Sequence, residues 1–168
     1  MPNSIHLRAA ELEDVSFLHL IFNDPNIMDY WFNEPYQTLH QLENNLKEKR
    51  KDSRLFIITN DMEEQIGLIG FYFIDQRHRH AEFAIALDPA HQGKGYATRA
   101  TELALDYAFY TLNFRKVYLI VVDINEKASH IYEKVGFKVE GRLVEHYFIK
   151  GKYHDGIMMG IFNKDYIE

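Results

Sequence analysis

Apolar and polar positions alternate over residues 5–8, which predicts a short edge strand. Glu11, Glu13 and Asp14 then crowd a first helical turn, where the positive end of the backbone dipole favours carboxylates. Val15, Leu18, Ile21 and Phe22 follow at helical spacing as the buried stripe of that helix. Asp24, Pro25 and Asn26 stop it. A second helix is predicted from Thr38, because Thr38 and Gln41 make a capping box ahead of Leu39, Leu42 and Leu46. Between the two helices lies an aromatic and acidic loop, residues 28–36.

The middle of the chain reads as an antiparallel meander: strands over 55–59, 66–74 and 81–87, separated by polar turns. A helix over 95–110, an apolar strand over 117–122 and a helix over 126–135 come next, and this β-α-β-α order signals a parallel crossover. Strands over 139–149 and 153–162, joined at Lys150-Gly151, close the chain as a hairpin. The expectation is an α/β fold with a mixed central sheet of about seven strands flanked by helices. No internal repeat or linker-like stretch interrupts it, so a single domain over residues 1–168 is expected.

Composition narrows the function. Hydrophobic residues at 46% and charged residues at 26% suit an ordinary globular protein. A net charge of −6 argues against a nucleic-acid surface, which concentrates Lys and Arg, and weakly favours a cationic substrate. With no cysteine, disulfides, zinc-thiolate sites and a cysteine nucleophile are excluded. The first eight residues lack the apolar core of a signal peptide and no run reaches membrane-spanning length, so a cytoplasmic protein without a membrane partner is expected.

The strongest chemical signal is Gln92-Gly93-Lys94-Gly95-Tyr96-Ala97, between a strand and a helix. A glycine-bearing turn there presents backbone N–H groups at the positive end of a helix dipole, a combination that binds phosphate. A Walker loop needs Ser or Thr after its Gly-Lys pair, whereas Gly95 and Tyr96 follow Lys94. The dinucleotide fingerprint needs a third Gly or Ala where Thr98 stands. Gln/Arg-x-x-Gly-x-Gly/Ala does match, on Gln92, Gly95 and Ala97, and it resembles the pyrophosphate motif of the GCN5-related N-acetyltransferases, the GNAT superfamily. The alternative is that these glycines merely start a helix.

A second segment runs Asn125-Glu126-Lys127-Ala128-Ser129-His130-Ile131-Tyr132-Glu133-Lys134-Val135-Gly136-Phe137. It resembles the GNAT segment after the fifth strand, in which the Asn and its neighbours line coenzyme A and the Tyr faces the thioester sulfur. The alternative for Tyr132 is a packing aromatic. A closer likeness, carried by residues 30–36, 81–83, 91–97, 105–107 and 139–151, is to the bacterial spermidine N-acetyltransferases. That resemblance implies a GNAT fold with a V-shaped opening in the sheet, acetyl-CoA as cosubstrate, spermidine or spermine as acceptor, and a homo-oligomer, dodecameric in that family.

Carried over residue by residue, the coenzyme positions fall on Ile85, Ala86 and Leu87, on Gln92, Gly93, Lys94, Gly95, Tyr96 and Ala97, and on Asn125, Lys127, Ala128, Ile131 and Lys134. The general acid falls on Tyr132. The allosteric polyamine and metal positions of the family are mostly carboxylates; here two of them read Asn33 and Gln41 and a third Phe73, while Met28 and Glu34 keep the family character.

From the residues themselves, Glu82, on the strand before the phosphate turn, is the candidate to take a proton from the amine through water and to attract the cation; its alternative is an ion pair with Arg79. Tyr30, Trp31, Glu34 and Tyr36 of the loop over 28–36, with Glu82, are expected to bind the acceptor, and Met28, Asn33 and Gln41 join that set through the resemblance. The alternative for any one aromatic is core packing. His78-Arg79-His80 is read as a solvated turn, and no catalytic metal is expected. Three rival functions are weighed: a GNAT enzyme acting on a protein N-terminus or an aminoglycoside, an acyl-CoA sensor that transfers nothing, and a diamine-sensing regulatory subunit, for which the chain carries no added DNA-binding element.

Overall fold

Seven strands form one sheet in the order β1-β2-β3-β4-β5-β7-β6 in this computed structural model, which describes residues 4–31, 34, 36–48 and 50–166. The strands are β1 (Ile5–Ala9), β2 (Arg54–Asn60), β3 (Gln65–Asp75), β4 (His80–Leu87), β5 (Lys116–Val122), β6 (Lys138–Ile149) and β7 (Lys152–Phe162). All neighbours are antiparallel except β4 and β5, whose parallel pairing is the crossover expected from the β-α-β order. The helices are α1 (Val15–Phe22), α2 (Pro25–Met28), α3 (Leu39–Lys47), α4 (Tyr96–Asp106), α5 (Glu126–Val135) and α6 (Asn163–Tyr166). Among the described residues no helix is long and apolar enough to cross a membrane.

Strand periodicity divides the core between the two faces of the sheet. Phe71, Phe83, Val117 and Leu119 pack with Ala100, Leu105 and Phe109 of the α4 region and Tyr132 of α5. On the other face Ile57, Leu68 and Ala86 pack with Leu18, Ile21 and Phe22 of α1, Leu42 of α3 and Trp31. The α1 stripe is therefore the one its spacing predicts.

Local differences from the sequence reading have identifiable causes. Asp24-Pro25 stops α1 but also starts α2, since Pro25 sits at its first turn and the Asp24 carboxylate accepts from the Asn26 N–H at 2.8 Å. The helix predicted over 95–110 ends as α4 at Asp106 and continues as a π-helical turn, Tyr107–Thr111, with the Leu112 N–H reaching the Tyr107 carbonyl at 3.0 Å. Helix α6 carries no periodic pattern of its own; its Tyr166 hydroxyl donates to the Asp106 carboxylate at 2.7 Å.

The edges of the sheet are β1, five residues long, and β6, twelve. The register of β6 against β7 shifts twice, at Val139/Gly141 and Leu143/Tyr147, with Glu145 at a φ of +48° in the second shift.

One buried carboxylate ties β1 to the rest. Asp14, 3% exposed, accepts from both Arg8 guanidinium nitrogens at 2.8 and 2.7 Å, from the Glu11 N–H at 2.8 Å and from the Gln65 amide of β3 at 2.5 Å. The Arg8 bonds hold the Asp14 pKa below the usual carboxylate range. Its lowered pKa means the stabilisation is fully present above the unfolded-state pKa and is lost as pH falls through the folded one. Asp14→Asn is expected to cost about 2 kcal/mol at neutral pH. Urea unfolding should show that gap close in acid, where the wild-type carboxyl is itself protonated.

Candidate active site

The pairing of β4 with β5 is short. It joins His80 to Lys116, Ala81 to Val117 and Glu82 to Tyr118, and there it stops. β4 runs on against β3 to the Leu87–Gly67 rung, and β5 runs on against β7 to the Val122–Gly156 rung. The sheet thus splits after Glu82, and a cavity of about 1550 Å³ opens, lined by Phe83, Ala84, Ile85, Ala86 and Leu87 on one side and Leu119, Ile120, Val121 and Val122 on the other. Strand backbone left unpaired in this way needs hydrogen-bond partners from a ligand or water.

At the mouth of the split the chain leaves β4 through a short 3₁₀ turn, Pro89–His91, and enters α4 by the glycine turn. Gly93 (φ +74°) and Gly95 (φ +83°) are both left-handed, a conformation that glycine adopts without a Cβ penalty. Gly95 is the N-cap of α4 and offers no capping side chain, so the first N–H groups of an 11-residue helix are left for another acceptor. The Gln92 amide donates back to the Leu87 carbonyl at 3.2 Å, which fixes the turn against the end of β4. Gln92, Gly93, Gly95, Tyr96 and Ala97 line the cavity.

Helix α5 supplies the facing wall. The Asn125 side chain caps it, accepting from the Ala128 N–H at 3.3 Å, and Gly136 ends it at φ +119°. Asn125, Lys127, Ala128, Ile131 and Tyr132 line the cavity; Lys94 and Lys134 do not. The Tyr132 ring packs against Phe83 and Phe137 with centroids 6.3 and 5.7 Å away, and burial pushes its phenol above its ordinary pKa. Its hydroxyl makes no hydrogen bond among the described residues. Tyr132 is therefore both a core aromatic and part of the cavity wall, so its two sequence readings are compatible.

Glu82 lies on the opposite face of β4 from Phe83 and Tyr132, since successive strand residues alternate. Arg79 does not pair with it: the Arg79 guanidinium donates to the Asn113 carbonyl and side-chain oxygen, both at 2.9 Å. Half-buried in the cavity wall, the Glu82 carboxyl is raised above its ordinary pKa by loss of water. Tyr30, Trp31 and Glu34 line the cavity on this face. Trp31 does so as a core residue, its ring 5.3 Å from Phe22 and 6.4 Å from Tyr72.

Several expected acceptor residues are elsewhere. Met28 belongs to α2 and is not in the cavity wall. Gln41 spends its carboxamide on the capping box, accepting from the Thr38 N–H at 2.8 Å. Tyr36, 77% exposed, borders a shallow depression with His19, Asn23 and Leu39. Asp29 of the same loop is ion-paired with Lys150 at 2.9 Å, across to the β6–β7 turn. Asn33 lies outside the described residues. Phe73 does reach the cavity wall, as do Arg50, Asp52, Arg54 and Tyr72, which sequence reasoning missed. Tyr72 was legible in principle, because it falls on the same face as Glu82 once the β3–β4 hairpin is registered.

A mixed sheet split between parallel neighbours, with a glycine turn and a helix N-terminus at the mouth of the split, defines the GNAT class of acetyl-transferring enzymes. A family model described as an acetyltransferase (GNAT) domain matches residues 4–138. The chain is 45% identical to the spermidine N(1)-acetyltransferase of Escherichia coli strain K12, covering 99% of this chain and 91% of that protein. It is 43% identical to the spermidine N(1)-acetyltransferase of Vibrio cholerae serotype O1, covering 99% and 98%. A crystal structure of the spermidine N-acetyltransferase from Vibrio cholerae in complex with CoA and spermine superposes with a TM-score of 0.94, at 43% identity over 98% of each chain. The chain belongs to the GNAT acetyltransferase family.

Gly95→Ala would force an alanine into the left-handed region at the α4 N-cap. It is expected to cost about 1 kcal/mol, read as a drop of about 3 °C in Tm.

Proposed function

We propose that this acetyltransferase moves the acetyl group of acetyl-CoA onto a primary amine of spermidine or spermine by direct attack, with both substrates bound. The observation that carries this reading is the placement of Glu82 and Tyr132 on opposite faces of β4, beside the gap where the β4–β5 ladder stops. Near-full-length likeness to spermidine N-acetyltransferases supplies the acceptor.

In this reading the pyrophosphate of the coenzyme sits on the N–H groups of residues 92–97 at the α4 N-terminus, and Asn125, Lys127, Ala128 and Ile131 line its pantetheine arm. The thioester lies in the split, where a backbone N–H near Leu87 polarises its carbonyl. An alkyl amine with a pKa of about 10.4 is neutral in only about one molecule in a thousand near pH 7.4, so deprotonation has to be assisted. Glu82 takes that proton through water, and its raised pKa makes it a better base than an ordinary carboxylate. The amine lone pair forms the C–N bond, the C–S bond breaks, Tyr132 gives its proton to the departing thiolate, and the proton shed by the new amide nitrogen returns through water to the Tyr132 oxygen. Burial raises the pKa of that phenol, so it is the protonated form that faces the thiolate at neutral pH. By the same resemblance the enzyme is a cytoplasmic homo-oligomer, dodecameric as in that family.

Thiol release from acetyl-CoA, measured against spermidine, spermine, putrescine, an aminoglycoside and an N-terminal peptide, tests the acceptor. Activity confined to the polyamines is expected, and acetyl-CoA binding without polyamine turnover would overturn the acceptor while leaving the class. Tyr132→Phe should lower kcat about 10²-fold with acetyl-CoA affinity unchanged. As a base Glu82 works ionised, so kcat/KM should fall as pH drops through a pKa above the ordinary carboxylate range. In Glu82→Gln the rate should be about 10²-fold lower and that acid limb absent.

A further inference from the structure

The acceptor face of the sheet carries three tyrosines that the chemistry above does not use. Tyr72 of β3 stands opposite Glu82 in the β3–β4 register, and Tyr118 of β5 stands opposite Glu82 in the β4–β5 register. Residues paired in this way share a face, with Cβ atoms about 5 Å apart. Glu82 is therefore flanked by two phenols on the last rung before the sheet splits. Tyr147 of β6 is the third. A Cβ placed on Gly156 of β7 would meet the Tyr147 ring and the Ile120 side chain, each at 3.0 Å, so the Tyr147 ring lies over that glycine and reaches toward β5 on the Glu82 face. Gly70 does the same for Tyr72, whose ring covers it so closely that any side chain there would collide. Two glycines thus make room for two tyrosines, and rings of Trp31 and His80 meet Tyr72 and Tyr118 edge-on at 6.4 and 5.7 Å.

Resting on the polyamine reading, we propose that Tyr72, Tyr118 and Tyr147 form, around Glu82, a cage that holds the terminal primary ammonium of the acceptor and sets its specificity. The chemistry fits a cation with several N–H donors on an unhindered alkyl chain. The Glu82 carboxylate takes one N–H through a bridging water, phenol oxygens accept others, and ring faces attract the remaining positive charge. Burial and the Glu82 charge push Tyr147 up to about 12 and raise Tyr72 and Tyr118 as well. The phenols stay protonated, so Glu82 is the base of the cage. When the ammonium passes its proton to Glu82 the nitrogen lone pair is freed for attack, and the amide that forms carries no charge for the cage to hold, which favours release.

The test is calorimetric titration of spermidine into the CoA-saturated protein, with steady-state turnover alongside. Tyr118→Phe and Tyr147→Phe keep the rings and remove the hydroxyls. Each is expected to weaken spermidine binding about tenfold and the pair about a hundredfold, with CoA affinity and Tm unchanged. Gly156→Ala, which displaces the Tyr147 ring, should match Tyr147→Phe or exceed it. Spermidine Kd values within twofold of wild type in both Phe variants would overturn the cage, as would a wild-type protein that does not bind spermidine. Wild-type binding without turnover would overturn the proposed reaction, and the Kd ratios would still decide the cage.

Discussion

Everything chemical in this protein depends on three rungs. The β4–β5 ladder closes over His80, Ala81 and Glu82 and then gives way, although both strands continue, each held on its far side by another partner. A sheet interior that stays ordered while lacking one row of hydrogen bonds is expensive, and it persists here because β3 and β7 fix the two diverging strands from outside. The gap is a consequence of strand geometry rather than of missing residues.

From that gap follows a division of labour between the faces. The face bearing Phe83 and Tyr132 carries the glycine turn and the positive end of α4. The face bearing Glu82 carries a carboxylate and phenols, with Trp31 and Tyr30 beside them. An anionic partner is favoured on one side and a cationic one on the other. Only at the split do the two sides communicate, so the reacting groups need not be placed by long loops. The Asp29–Lys150 ion pair joins the α2 region to the β6–β7 turn on the Glu82 side.

What the sequence made legible is what local rules govern. The Thr38–Gln41 capping box, the α1 stripe and the glycine turn are all short-range features, and each is found where spacing placed it. Residues whose role depends on register across strands become legible only once that register is known, as Tyr72 does from the β3–β4 hairpin. Tyr72, Tyr118 and Tyr147 come from three strands and share a face with Glu82 only after the sheet is assembled. Gln41 was assigned to the acceptor by resemblance, yet its carboxamide had already been claimed by the cap that the same sequence predicts. Tyr36 and Met28 sit in the right segment but do not line the cavity, which periodicity within a loop cannot reveal. The π-helical turn at 107–111 was likewise invisible, because its apolar spacing is that of the helix it extends.

The outermost strand has a further consequence. β6 is twelve residues long and has a partner on one side only, the arrangement that ordinarily invites another chain to continue the ladder. Its two register shifts and the kink at Glu145 break that row into short pieces, and Arg142 and Glu140 are tied inward to Asp155 and Lys116. β1, at the far edge, is too short to template much. The molecule can therefore expose both margins of a seven-stranded sheet at high concentration with little tendency to grow into fibrils.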